Sequence, residues 1–230
     1  MMMMMMTIRR TVTIIMLLLA ASAAYCQDDF GIWYSVSAEH KLVKKLDLDL
    51  SGSIRTFDNA RKVDEAFLEG GLTFKITRFL SVGGAYRYTD SRDKDGSYHP
   101  RHKWFADIKG SASIGDLNLS ARFRFEKRYK TYFLDNNDNI PTSHGRFKLK
   151  ALYDIHSFRI NPFIASEIFC PMFADAKSGR RMVDKGRYWI GVEYKIAKKQ
   201  SVDVAYLFQR DYLPHISDIN IISLEYNLKF

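Results

Sequence analysis

The side chains best placed to do chemistry are basic residues at near-alternate positions: Arg122, Arg124 and Arg128, then Arg146, Lys148 and Lys150, then Arg159. Carboxylates lie among them at Glu126, Asp154, Glu167 and Glu193. Residues two apart on an extended chain share a face, so these are charged rows on strands. Set around a narrow, low-dielectric space, such rows attract anions and select by sign. The other outcome is a ladder of ion pairs that fills the space, because charges taken out of water need partners. We favour the ladder, since small barrels are often packed by their own side chains.

Catalytic groupings are weaker. Ser143-His144 is an adjacent pair, but hydrolysis of the lipase type needs a serine, a histidine and an orienting group within hydrogen-bond reach. Asp93, Asp95 and His99, and likewise Asp211, His215 and Asp218, put acids and a histidine in one connection each, as a protease site at a barrel rim would. Polar connections carry such residues in any case. The run Asp135-Asn136-Asn137-Asp138-Asn139 offers oxygen ligands for calcium without the glycine and distal glutamate of an EF-hand. Cys26 and Cys170 are the only cysteines, and no His/Cys cluster marks zinc. The expectation is no catalysis, no metal and no cofactor.

The elements that must carry these rows are strands. In Leu117 to Tyr129 the residues Leu117, Leu119, Ala121, Phe123 and Phe125 form an apolar face, and Asn118, Ser120, Arg122, Arg124 and Glu126 a polar one. The same rhythm begins at Leu46 and recurs to Phe230, giving ten strands, with twelve as the alternative. Short turns at Thr77-Arg78, Gly115-Asp116, Ile155 to Ser157 and Ala197 to Gln200 take turns with longer polar connections, as in outer-membrane barrels. On the apolar face, aromatics gather at two heights. Tyr88, Trp104, Phe125, Tyr129, Phe147, Tyr188 and Phe208 are at the long-loop end; Phe74, Tyr153, Phe158, Tyr194 and Phe230 are at the other. Two interfacial girdles around Leu, Ile, Val, Ala and Gly mark a bilayer. The predicted fold is all-β: a transmembrane antiparallel up-and-down barrel over 46–230.

Ahead of it, Arg9 and Arg10 precede an apolar run, Thr11 to Ala20, too short to span a membrane, and then Ala21-Ser22-Ala23-Ala24. Residues 1–26 therefore read as a cleaved signal peptide, and 27–45 as an N-terminal periplasmic segment or a first strand. Tyr25, where a small residue would stand, argues against lipid attachment at Cys26. The formal charge of +9 is dispersed along strands and not clustered on a helix, which argues against nucleic acid.

The segments DDFGIWYS, GGAYRYT, RFRFEKRY, GRFKLKALYD, INPFIASEIF, GRYWIGVEYKI and VDVAYLFQRD, in this order, resemble the domain-of-unknown-function 2490 family. The resemblance spans nearly the whole mature chain and implies a barrel in the outer membrane, mainly of Bacteroidota, with no assigned activity. Cys26 beside the cleavage point is a departure. The terminal run Ile222, Leu224, Tyr226, Leu228 and Phe230 is similar to the strand that the outer-membrane assembly machinery reads. The expected partners are that machinery and outer-membrane lipid. The expected role is envelope structure or small-solute transport through a charge-lined, occluded lumen. A rim enzyme and a barrel whose loops dock a partner are the alternatives.

Overall fold

Alternation governs the whole computed structural model, which describes residues 29–93, 96–130, 142–172, 183–212 and 216–230. There are eleven strands: β1 (Asp29–Val43), β2 (Leu46–Phe57), β3 (Lys62–Lys75), β4 (Leu80–Arg92), β5 (Tyr98–Ile114), β6 (Leu117–Lys130), β7 (Thr142–Tyr153), β8 (Ile160–Met172), β9 (Lys185–Ala197), β10 (Gln200–Asp211) and β11 (Ser217–Lys229). Each pairs antiparallel with its chain neighbour, and β1 closes the barrel against β11. No described helix is long and apolar enough to cross a membrane. The apolar face points outward: Leu68, Trp104, Ile164 and Ile190 are all more than half exposed. In water such a surface would be an aggregation hazard; in a bilayer it is the solvated face.

The strand count among the described residues is eleven, between the ten expected and the alternative of twelve. Asp29–Val43 is a full strand, and its contact with β11 is parallel, with Ser35 opposite Glu225 and Ser37 opposite Asn227. Evenness is required only if every neighbour is antiparallel. One parallel seam permits eleven strands and places the start of β1 at the long-loop end and Phe230 at the turn end. The seam also has a side-chain bond, from Ser37 Oγ to Asn227 Oδ1 at 2.5 Å, and a backbone bond at its end, from Phe230 N to Glu39 O at 2.9 Å.

Strands at the loop end also run further than the apolar pattern. The stretch Asp90 to Lys103, read as a connection, is mostly ladder, because β4 continues to Arg92 and β5 begins at Tyr98. Strand segments above the hydrocarbon need no greasy face, so His99 and Arg101 pair as strand residues without one. At the turn end, Gly115 adopts φ 58° between β5 and β6, the left-handed geometry that a two-residue hairpin turn requires.

On β9 and β10 two small residues meet across the ladder. Gly191 lies opposite Ala205, and a Cβ added at Gly191 would come within 2.6 Å of both Ala205 Cβ and Val204 O. Neither atom can move without moving the ladder. Gly191→Ala should therefore cost about 1–3 kcal/mol, measured by denaturant unfolding in detergent micelles. The wall makes a second prediction. Arginine at Leu149 or Ile190 should destabilise the folded barrel by about 2–4 kcal/mol near the midplane, whereas Ser120→Arg, on the inner face, should assemble normally. Gel mobility with and without heating distinguishes folded from unfolded barrel. Equal tolerance at the three positions would show that the faces are assigned the wrong way round.

Candidate functional site in the lumen

The inner face carries a ring of cations interspersed with aromatic rings at mid-height. Around the barrel run Trp33 of β1, Arg55 of β2, Phe67 of β3, Arg87 of β4, Phe105 of β5, Arg124 of β6, Arg146 of β7, Phe169 of β8 and Arg187 of β9. Arg55 stands 3.9 Å from the Trp33 centroid, Arg87 3.7 Å from Phe67, Arg124 4.2 Å from Phe105 and Arg146 4.5 Å from Phe169. Arg187 lies over Trp33 at 4.8 Å and over Phe169 at 4.9 Å, linking the two ends of the series. Leu207 and Ile221, both almost fully buried, complete the ring on β10 and β11. Guanidinium faces suit ring faces, and their edges remain for carboxylates.

Those edges are occupied. Arg146 donates from Nη1 to Glu126 Oε2 at 3.0 Å and from Nη2 to both oxygens of Glu167 at 3.0 Å. Arg122 reaches the same Glu167 at 2.8 Å. Arg124 grips Asp107 through Nε and Nη2, each at 2.6 Å, and touches Glu69 at 3.4 Å. Arg87 holds Glu69 through Nε at 2.7 Å. This network forms a septum. Toward the loop end lies a cavity of about 620 Å³ whose wall includes Arg87 and Arg146. Toward the turn end lies one of about 460 Å³ whose wall includes Glu69 and Arg124. No residue lines both.

The two cavities differ in charge. The loop-end vestibule is lined by nine Arg and Lys side chains against five carboxylates. The turn-end vestibule is lined by five cations against seven carboxylates.

Of the residues singled out by sequence, Glu126, Arg128 and Arg146 line the loop-end vestibule. Arg122, Arg124, Lys150 and Glu193 line the other. Glu167 is buried in the septum, and Lys148 stands over Trp189 at 4.5 Å. Lys150 pairs with Asp203 at 3.3 Å, while Glu193 accepts from Asn161 rather than from an arginine. Arg159 requires correction: it is exposed in the turn before β8, donating to Ile196 O at 3.5 Å, and is not a lumen residue. It has the inward parity, but the ladder starts one residue later, at Ile160. Asp154 also lies at a turn. There Lys195 donates to it at 2.9 Å, and that bond holds its carboxyl below the usual carboxylate range.

Sequence reasoning missed the inner aromatics and half of the carboxylates. Phe67, Phe105, Phe169 and Trp33 break the alternation by placing an apolar residue on the polar parity, and that breach was the available signal. Asp107 and Glu69 needed the register between β3 and β6.

The other chemical groupings separate. Ser143 and His144 sit on opposite faces of β7 by alternation, so they cannot share a site. His144 instead pairs with Asp184 at 2.9 Å in the loop-end vestibule. Asp95, His215, Cys26, Tyr132 to Leu134, Phe173 and the run Asp135 to Asn139 lie outside the described residues. Among the described residues no His, Cys, Asp and Glu grouping has metal-site geometry.

A model of the family described as "Protein of unknown function (DUF2490)" matches residues 30–220. The chain belongs to that family. No curated protein matches its sequence. Among solved structures, the family fold seen here is similar to the NanC porin at TM-score 0.56 and 13% identity, covering 88% of this chain and 99% of that one. It is also similar to the β domain of the Bordetella autotransporter BrkA at TM-score 0.53 and 9% identity, covering 83% and 86%. At such identities the likeness is one of fold: a closed β-barrel.

The septum depends on Arg146 more than on any single acid, because two buried carboxylates share it. Arg146→Ala should destabilise the barrel by about 3–5 kcal/mol by stranding Glu126 and Glu167. Adding Glu126→Gln and Glu167→Gln to that variant should restore much of the loss, as read by unfolding in micelles.

Proposed function

We propose that this is an outer-membrane barrel whose lumen is closed at mid-height by its own ion pairs, serving envelope structure or the gated passage of small solutes. The observation that carries this reading is Arg146 held between Glu126 and Glu167 where two cavities meet without a common lining residue. Buried, mutually satisfied pairs on adjacent strands make a rigid partition, because moving one member strands the others. In this reading residues 1–26 are removed on export, the long connections face outward, and the short turns face the periplasm. Outer-membrane lipid surrounds the apolar wall, and the strand ending at Phe230 is what the assembly machinery engages. This reading assigns no catalytic role, and the divergence of Ser143 and His144 on β7 is in keeping with it.

Purified protein in planar lipid bilayers tests the proposal. Wild type should give no steady stepwise conductance, and the double variant Arg124→Ala/Arg146→Ala should give discrete openings. Long-lived wild-type channels would overturn the closed lumen.

A further inference from the structure

The loop-end vestibule holds cations that are not ion-paired among the described residues. Of its carboxylates, Glu65 is paired with Arg55, Glu126 with Arg146, Asp184 with His144 and Asp211 with Lys185. Asp64 sits exposed at the rim, where the β2–β3 register shifts. Arg187 and Lys103 line the same cavity and have no carboxylate within ion-pair distance among the described residues.

Arg187 is also built for recognition. Its guanidinium is sandwiched between Trp33 and Phe169, and its Nε donates to Gln209 Oε1 at 2.8 Å. Those three contacts restrain the plane of the fork, and neither Nη has a carboxylate partner among the described residues, while the residue lines the cavity. A guanidinium pre-oriented in this way binds a carboxylate or phosphate bidentately at little entropic cost. Lys103, on β5 and four strands away from β9 around the barrel, supplies a point charge on the facing wall of the same cavity. Trp33, stacked by Arg55 and Arg187, stands in the same wall, and a cavity of about 620 Å³ is of small-ligand size.

We infer that the loop-end vestibule is a binding site for a small, multiply charged organic anion, held between Arg187 and Lys103 with Trp33 in the wall beside Arg187. The inference deepens the closed-barrel reading, since the septum is its floor. Its test is independent of conductance, so the two can fail separately.

The test is isothermal titration calorimetry on the full barrel in detergent micelles, with citrate and pyrophosphate as probes at constant ionic strength. One saturable site per barrel is expected for at least one probe. Arg187→Gln and Lys103→Gln should each weaken it roughly tenfold or more. Arg187→Lys should recover part of the loss, and Lys148→Gln, outside this vestibule, should leave affinity unchanged. Folding of each variant is checked by heat-dependent gel mobility. In wild type the probe should also change Trp33 fluorescence, a change lost in Trp33→Phe. No saturable binding of either probe to wild type, or equal weakening by Lys148→Gln and Arg187→Gln, would overturn the assignment.

Discussion

A backbone immersed in hydrocarbon has no water to fall back on, so every strand edge must find a protein partner. In this molecule that demand converges on one seam, where β1 lies between β2 on one side and β11 on the other. Ten of the eleven pairings join chain neighbours and can form locally. The seam joins residues such as Ser37 and Asn227, separated by 190 positions. Its parallel, slanted hydrogen bonds are slightly weaker per residue than antiparallel ones. Everything inside the barrel depends on it, since an open sheet would expose the inner charges to lipid at its edges.

Closure sets the problem that the lumen solves. Eleven strands bring eleven inner faces close together, and here those faces carry many charges. The arrangement separates the two needs of an arginine. Its flat faces stack on Phe67, Phe105, Phe169 and Trp33, and its edge meets Glu69, Asp107, Glu126 or Glu167. The solution is incomplete in places: the Nε atoms of Arg55, Arg122 and Arg146 are buried without a partner. A hydrogen bond left unmade there is a cost that the stacked rings and the remaining bonds offset.

The architecture was legible wherever a strand met two unlike solvents. Leu117 to Tyr129 alternates cleanly because Phe123 faces lipid and Arg124 the lumen, and the strand is where the pattern placed it. The first strand alternates too, but its role turns on a partner 190 residues away, which no local pattern encodes. The upper parts of β4 and β5 escaped notice because His99 and Arg101 stand above the apolar layer. For the site, parity identified Arg122, Arg124, Arg146, Lys148 and Lys150 as inward, and misplaced Arg159 because parity does not say where a ladder begins. Partner choice was the hidden part. Arg124 binds Asp107 across one strand gap and Glu69 across three, and those distances follow from register and barrel curvature rather than from spacing along the chain.

The opposite signs of the two vestibules have an electrical meaning. Fixed positive charge at one end and fixed negative charge at the other, separated by a thin partition, form two ion-exchange layers in series. Mobile anions gather in the first and mobile cations in the second, so the partition sits in a depleted zone with a built-in field. A barrel of this kind is polarised along the membrane normal, and any current crossing it would rectify.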